Sequence, residues 1–241
     1  MYSYQSRIRY SELDERGHLR LESLLDYFQD CSTFQAEDLG VGVEYLKQLH
    51  MVWVMSSWQI VAERYPKLGE TVTVGTFPYE IKAFVGYRNF VMKDGEGKNL
   101  AYANTIWSLL DTETGKPAKP TPRMLEKYVL EPRMEMEYAP RKIRIPEELR
   151  EGEPVTVRAH HLDVNHHVNN GQFVRIAMDS LGSSFQVRQL RAEYKKQVML
   201  GEVLIPCTAA VEDGKSVVVL KDDKGAVCCT VELCEAGREP V

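Results

Sequence analysis

The sequence predicts an α+β protein made of two tandem repeats of one unit, each an antiparallel β-sheet wrapped around a long helix. The first observation is an ungapped internal match between Leu13–Asp30 (LDERGHLRLESLLDYFQD) and Leu162–Asp179 (LDVNHHVNNGQFVRIAMD). Two further anchors follow in the same order, Leu68-Gly69-Glu70 with Leu200-Gly201-Glu202 and Met92-Lys93-Asp94 with Leu220-Lys221-Asp222. A last observation is that the same succession of patterns occurs twice along the chain: one strand, one helix and then four strands.

The first repeat begins with a strand whose alternation places Tyr2, Tyr4, Ile8 and Tyr10 on one face. A helix is predicted next, because apolar residues recur at helical spacing and Gly40 stands just beyond them. These apolar residues are Leu21, Leu24, Leu25, Phe28 and Cys31. The remaining strands are expected near Val52–Ala62, Thr71–Phe77, Gly86–Lys93 and Ala101–Leu110, with Lys93–Gly97 as a hairpin turn.

The second repeat has the same order with shorter connections. A short strand is expected near Val155–Ala159. A helix then carries Phe173, Val174, Ala177 and Leu181 on one face and closes near Gly182. Four strands are predicted near Phe185–Tyr194, Val203–Val211, Ser216–Lys221 and Val227–Leu233, and Lys221–Gly225 supplies the hairpin turn.

A proline-rich connector separates the two repeats. Residues 116–154 contain Pro117, Pro120, Pro122, Pro132, Pro140, Pro146 and Pro154, and central strands do not tolerate prolines at that density. Apart from a short helix near Met124–Tyr128, we expect this connector to run over the surface. The sequence therefore predicts an N-terminal domain at 1–115, a linker at 116–154 and a C-terminal domain at 155–241.

Composition and charge limit the class of protein. The chain has 241 residues, 44% hydrophobic and 27% charged, which is typical of an ordered globular protein. A net charge of -5 disfavours long-range attraction to nucleic acid. No signal-peptide pattern and no run of ~20 apolar residues occurs, so a cytoplasmic protein without a membrane partner is expected. The five cysteines include no C-x-x-C pair, so neither a disulfide framework nor a zinc ribbon is predicted.

The segment with the clearest chemical content is His160–Asn170, HHLDVNHHVNN, between the first strand and the helix of the second repeat. In an extended chain, Asp163, Asn165 and His167 would share one side. Full extension would still separate Asp163 from His167 by roughly 13 Å, so a bend is needed to gather the three residues. The predicted helix start near Asn169 adds backbone N–H groups and the positive end of a helix dipole.

These groups suit the hydrolysis of a thioester. A developing oxyanion needs aimed N–H donors, and an imidazole that titrates near neutrality can serve as the base for an attacking water. A carboxylate can orient the base or the water, and an amide can do so without titrating. The bland alternative is that Asp163 and Asn165 are only turn or cap residues. Four histidines also suggest a metal cluster, but no Cys or Glu stands at ligand spacing, so no metal is expected.

The pattern Asp163-x-Asn165-x-His167, followed by Val-Asn-Asn at a helix entry, resembles the acyl-ACP thioesterase family of bacteria and plant plastids. Family-like features also include Gly86-Tyr-Arg88, Thr105-Ile-Trp107 and Glu193-Tyr-Lys-Lys, so the resemblance covers nearly the whole chain. It implies a tandem (double) hotdog fold and catalytic roles for Asp163, Asn165 and His167. It further implies hydrolysis of fatty acyl-ACP to end fatty acid synthesis, with acyl carrier protein as the partner and no cofactor.

Two positions qualify this resemblance. The first repeat has Asp14 and His18 at the matching positions but Arg16 in place of Asn165, so we expect it to be catalytically silent. Plant members often carry Glu-Cys where this chain has Gln197-Val198. A cysteine nucleophile at this point is therefore excluded, and Gln197 cannot act as a carboxylate base. Water attack and direct attack by Asp163, which would give an anhydride, both stay open.

Several alternatives and side hypotheses also stay open at this stage. An acyl-CoA thioesterase is the nearest alternative enzyme, and a non-catalytic acyl-binding hotdog is the alternative from another class. Association of the fused pair into a homodimer is undecided. Trp53, Trp58, Phe84 and Trp107 either line an acyl tunnel or belong to an ordinary core. Cations that either meet an acidic carrier protein or form a solvated face are Arg141, Lys142, Arg188, Arg191, Lys195 and Lys196.

Overall fold

The computed structural model describes residues 1–182, 186–211 and 214–235. The chain divides into two compact units, the first formed by Met1–Ser56 with Glu63–Tyr138 and the second by Ser57–Ala62 with Ala139–Val241. The α+β class is as predicted from the sequence, and each repeat contains the predicted strand, long helix and four further strands in that order. The domain limits at 115 and 154 stay a prediction.

The first unit contains strand β1 (Tyr2–Arg7), helices α1 (Leu21–Asp38) and α2 (Val43–Gln48), strand β2 (Met51–Ala62), strands β3 (Thr71–Lys82), β4 (Val85–Lys93) and β5 (Asn99–Asp111), and helix α3 (Pro122–Lys127). The strands are ordered β1-β3-β4-β5-β2, and the pairs β1–β3, β3–β4 and β4–β5 are antiparallel. Strand β2 supplies Met51–Ser56 to this unit and Ser57–Ala62 to the second.

The core of the first unit forms where α1 packs on β1 and β3. Leu24, Leu25, Phe28 and Cys31 are fully buried, as their helical spacing predicts. The rings of Phe28 and Phe90 lie 5.3 Å apart. Burying each large apolar side chain contributes about 1.5–3 kcal/mol, so this face holds the helix in place.

The second unit contains the short strands β6 (Arg150–Glu151) and β7 (Val155–Thr156), helix α4 (Asn170–Ser180), and strands β8 (Val187–Tyr194), β9 (Val203–Val211), β10 (Lys215–Lys221) and β11 (Val227–Glu235). Its strand order is β2-β8-β11-β10-β9-β6, with β7 on β9. Phe173, Val174 and Ala177 of α4 are buried, and the helix packs on β9, β10 and β11.

Some local predictions need correction. Tyr10 does not continue the first strand face, because Tyr10–Glu12 forms a 3-10 turn that leaves Tyr10 83% exposed. The predicted strand at Val155–Ala159 is shorter, because Ala159–His161 forms the matching 3-10 turn. Helix α2 was not predicted. Phe185, the predicted first residue of a strand, lies outside the described residues.

The connector does not only run over the surface, as was expected from its prolines. Met124 of α3 is fully buried in the first unit, and Ile143 is 1% exposed in the second. Within the second unit, Gln59 Oε1 accepts the Ala139 N–H at 2.9 Å, and Arg191 donates to the carbonyls of Pro140 and Lys142. The start of the second unit is therefore fixed to β2 and β8 by side-chain hydrogen bonds.

Candidate active site

The candidate residues lie on a tight turn between the 3-10 turn and α4. The Asp163 N–H donates to the His167 carbonyl at 2.8 Å, and the His166 N–H donates to the Asp163 carbonyl at 3.0 Å. A bridge between Leu162 and Val168 closes the turn. The bend that the sequence requires is thus present, and the backbones of Asp163 and His167 lie side by side.

The first repeat builds the same turn from different side chains. The Asp14 N–H donates to the His18 carbonyl at 2.7 Å, and Leu13 bridges Leu19. The Asp14 Oδ1 atom accepts from the N–H groups of Arg16 and His18, both at 2.9 Å. The internal match therefore extends to individual hydrogen bonds, and the turn itself requires none of the chemistry of Asn165.

Asp163 has a structural role as well as a candidate catalytic one. Its Oδ1 atom accepts from the Asn165 N–H at 2.8 Å and the His167 N–H at 3.3 Å. Among the described residues its Oδ2 atom has no hydrogen-bond partner. Asp163 and His167 are half-buried and Asn165 is exposed, so all three can be reached from solvent.

The start of α4 is already capped. Asn169 is the N-cap, and its Oδ1 atom accepts the Gly171 N–H at 2.7 Å. The Gln172 N–H donates to the Asn169 carbonyl at 2.9 Å. The helix dipole is directed as expected, but these two N–H groups are engaged within the helix start and do not serve as oxyanion donors in this conformation.

The segment after β8, where the resemblance already drew attention to Gln197-Val198, contacts the turn. The Val168 N–H donates to the Val198 carbonyl at 2.9 Å, and His167 forms a β-bridge with Met199. Tyr194 Oη donates to the Asn170 carbonyl at 3.0 Å and so ties β8 to the start of α4. The anchor Leu200-Gly201-Glu202, one residue beyond, was the available sequence signal for this contact. Gln197 is exposed.

The four histidines have different surroundings. His161 Nδ1 accepts the Arg158 N–H at 3.1 Å, the position that the Glu12 carboxylate takes in the first repeat. Partial burial, together with His160 and Arg158, lowers the pKa of His161, which suits a neutral ring that accepts this bond. His166 has a positive φ of 62°, where the first repeat has Gly17 at 78°. His167 alone of the four lies on the candidate motif.

The aromatic residues considered for an acyl tunnel or an ordinary core differ in their solvent exposure. Trp58 is 1% exposed, Phe84 is 37% exposed, and Trp107 Nε1 donates to Thr105 Oγ1 at 2.9 Å. An open depression of about 540 Å³ in the first unit is lined by other residues, among them Arg64 and Tyr102. The acyl tunnel stays a prediction.

Two of the predicted docking cations are engaged inside the second unit. Arg191 pairs with Glu232 at 2.9 Å with its side chain 14% exposed, and Arg188 Nη1 donates to the Ala62 carbonyl at 2.7 Å. Both alternatives from the sequence, a docking role and a solvated face, treat these guanidinium groups as open to solvent, whereas the structure shows them in contacts within the second unit. Lys195 and Lys196 remain 34% and 42% exposed.

Family models decide the relationship of this chain. The acyl-ACP thioesterase N-terminal domain matches residues 1–128, and the acyl-ACP thioesterase C-terminal domain matches residues 146–233. The chain belongs to the acyl-ACP thioesterase family. Membership was predicted from the Asp-x-Asn-x-His motif and is confirmed, and Asp163, Asn165 and His167 lie within the C-terminal match.

The family's curated members are distant in sequence. A chloroplastic acyl-[acyl-carrier-protein] hydrolase of Cuphea viscosissima is 23% identical over 227 residues, which are 86% of this chain and 55% of the relative. A palmitoyl-acyl carrier protein thioesterase of Arabidopsis thaliana is 22% identical over 221 residues, 84% of this chain and 53% of the relative. The chain spans about half the length of the curated relatives it matches.

Solved acyl-ACP thioesterases share the fold. One from Bacteroides thetaiotaomicron superposes with a TM-score of 0.88 at 22% identity, covering 96% of each chain. The 12:0-ACP thioesterase from Umbellularia californica gives 0.82 at 18% identity, covering 99% of this chain and 98% of that one. At these identities the likeness establishes the fold, and the predicted tandem hotdog is confirmed.

No helix in residues 1–182, 186–211 and 214–235 is long and apolar enough to cross a membrane. Over the same ranges, no group of three or more His, Cys, Asp or Glu side chains is placed to hold a metal ion.

Proposed function

We propose that this chain hydrolyses fatty acyl thioesters carried on acyl carrier protein, releasing the free fatty acid and the carrier thiol. The proposal depends most on one observation. Two turns with the same hydrogen bonds occur, and only the second, within the acyl-ACP thioesterase C-terminal match, carries Asp163, Asn165 and His167 together. The first turn keeps Asp14 and His18 but has Arg16 in place of Asn165, so the side-chain amide is the group that distinguishes the second turn.

In the proposed reaction, His167 takes a proton from water, which attacks the thioester carbonyl. The carbon–sulfur bond then breaks, and the imidazolium returns the proton to the leaving sulfur. The leaving thiol has a pKa of about 8.5 in its free form, so it departs without a strong general acid. The Asp163 Oδ2 atom, which has no hydrogen-bond partner among the described residues, would orient that water. Direct attack by Oδ2 to give an anhydride, later hydrolysed by water, is the second route.

The proposed role of Asn165 is to donate a hydrogen bond to the developing oxyanion. Since the N–H groups of Gly171 and Gln172 are engaged at the start of α4, a donor for the developing oxyanion has to come from elsewhere. The exposed side-chain amide of Asn165 is a donor that does not titrate, and we assign it to the carbonyl oxygen. A cytoplasmic location, the lack of nucleic acid and membrane partners, and the oligomeric state remain predictions from the sequence.

The test is thiol release from a panel of acyl-ACPs and matching acyl-CoAs, with His167→Ala beside the wild type. We expect fast release from acyl-ACP and a loss of about 10²–10⁴-fold in kcat for the variant, the usual contribution of a general base. His18→Ala provides the matched control in the first repeat and should retain full activity.

Each outcome has a defined meaning. Faster release from acyl-CoA would transfer the proposal to a coenzyme A thioesterase. Equal losses in His167→Ala and His18→Ala would withdraw the assignment of the site to the second repeat. No release from any thioester would favour the non-catalytic acyl-binding protein.

A further inference from the structure

Three apolar side chains on or next to the Asp163–His167 turn of the second unit are exposed to solvent. Val164 is 86% exposed, Met199 51% and Leu200 62%. Val164 follows Asp163 on the turn, and Met199 forms a β-bridge with His167. We call Val164, Met199 and Leu200 the apolar rim. Large exposed apolar side chains grouped beside a reactive site commonly mark an interaction surface.

The first repeat shows that the fold does not require this rim. Its turn has the same hydrogen bonds, yet Glu15 stands where the second repeat has Val164, and Lys67 stands where it has Met199. Only Leu200 has an apolar counterpart, Leu68, which is 56% exposed. The apolar character at 164 and 199 is therefore specific to the repeat with the complete motif.

The surroundings of the apolar rim also carry fewer carboxylates than the matching surface of the first repeat. Glu12, Glu15 and Glu63 of the first repeat correspond to His161, Val164 and Lys195 of the second, so three carboxylates are absent at matched positions. Two cations of the first repeat, Arg16 and Lys67, are also replaced by uncharged residues, and the second repeat is still the more positive of the two. Lys195 lies 3.8 Å from Glu193, and Lys196 donates to Asp222 at 2.7 Å, but both ammonium groups stay partly exposed. Of the nearby carboxylates, Asp163 accepts the His167 N–H within the turn and Glu202 accepts the Met199 N–H.

We propose that the apolar rim, with Lys195 and Lys196 beside it, is the surface on which the acidic carrier protein docks to present its acyl thioester to His167. This inference rests on the proposed function and names the surface that function would use. An apolar contact next to a cationic edge fits an acidic protein that contributes an apolar residue at the contact. Coenzyme A is a much smaller carrier and would not cover the rim.

The experiment uses Val164→Ser combined with Met199→Ser, which removes apolar surface without changing charge. Leu68→Ser in the first repeat is the matched control at a similarly exposed leucine. Thiol release is measured from acyl-ACP and from the acyl-N-acetylcysteamine of the same chain length, and binding of holo carrier protein is measured directly. Thermal unfolding confirms that all variants are folded.

We expect the double variant to raise KM for acyl-ACP and Kd for holo carrier about tenfold, with little change for the small thioester. The Leu68→Ser control should match the wild type. Rising salt should weaken carrier binding, because the lysines add an electrostatic attraction that salt screens.

Three results would overturn the docking surface: unchanged carrier binding in the double variant, equal losses with both substrates, or a wild-type dimer that the substitutions dissociate. The last would assign the rim to contact with a second copy of this chain. If the wild type releases no thiol but holo carrier binding is still lost in the double variant, the proposed function fails and the docking surface stands.

Discussion

Asp163 and Asp14 occupy equivalent positions in the matching turns of the two repeats. Each accepts the N–H groups of the residues two and four places later in the chain. An aspartate here is therefore explained by the turn alone, as an Asx-type hydrogen bond. Only a comparison of the two sites can separate its structural contribution from its chemical one.

Replacing each aspartate by asparagine makes that comparison. The amide oxygen can still accept both N–H groups, so Asp163→Asn and Asp14→Asn should change the unfolding temperature by similar small amounts. Asp163→Asn should lower kcat about 10²-fold or more, because a neutral amide neither attacks nor orients water as a carboxylate does. Asp14→Asn should leave kcat unchanged, and an equal fall in both variants would make Asp163 a turn residue only.

At the residue scale, the sequence predicted which side chains are grouped but not how each is used. The spacing Asp-x-Asn-x-His required a bend, and the bend is present at Asp163–His167. The separate role of His161 was not predictable, because its ring accepts the Arg158 N–H, and in the first repeat the Glu12 carboxylate accepts the Arg9 N–H at the same place. Chemically different side chains fill one structural role there, so identity-based alignment does not show the equivalence.

At the element scale, helix α1 carries an acidic row that α4 lacks. Glu22, Asp26 and Asp30 follow one another at four-residue spacing, whereas Arg175 of α4, which matches Asp26, pairs with Asp179 at 3.1 Å. Burial by neighbouring atoms, then Asp30 and Glu22, raise the pKa of Asp26 to about 6, against a smaller opposing effect of Arg20. Like charges at this spacing destabilise a helix.

This row predicts a pH dependence with a definite sign. Because the folded pKa of Asp26 lies above its ordinary value, the folded state binds the extra proton, and stability falls as pH rises from about 4 through about 6. Asp26→Asn should therefore stabilise the protein at about pH 8 by about 0.5 kcal/mol and have little effect near pH 4. We expect no larger gain, because the Asp26 side chain is crowded by neighbouring atoms but keeps its contact with solvent, and water screens its charge.

Urea unfolding at the two pH values measures this difference. Asp179→Asn is the control, since it removes the acidic partner of Arg175 and should be neutral or slightly destabilising at about pH 8. A stabilisation by Asp26→Asn that is the same at both pH values would contradict the electrostatic account.

Elements with strong periodicity were predicted well from sequence. The strand at Val203–Val211 is found as predicted. Helix α1 begins at Leu21 and ends at Asp38, two residues before Gly40, where a positive φ of 67° suits glycine. Helix α2 and the two 3-10 turns were missed because they are too short to show a period. Their positions depend on contacts such as the Glu12 carboxylate with the Arg9 N–H.

At the scale of the whole molecule, the fixed connector gives a further prediction. Arg191 joins Glu232 to the carbonyls of Pro140 and Lys142, with both charged side chains mostly buried. Arg191→Met should destabilise the protein by about 2–4 kcal/mol, because Glu232 keeps its charge without its partner. Arg175→Met removes an exposed pair on α4 and should cost less than about 0.5 kcal/mol.

Denaturant unfolding of both variants compares these costs. Similar values for the two arginines would mean that the contact to the connector contributes nothing beyond a surface ion pair. The sequence predicted the connector from its prolines but not its fixed state, because the partners Gln59 and Arg191 lie far from it in the chain.

Strand β2 contributes residues to both units, so the protein cannot simply be cut into two separately expressed halves. A fragment trimmed to the C-terminal family match, residues 146–233, would lack Ser57–Ala62, which pair with β8 through residues such as Trp58 and Ala192. The exposed edge of β8 would then be free to pair with other molecules and aggregate. Expression of the C-terminal half alone would need that short peptide supplied, either fused ahead of Ala139 or added in trans.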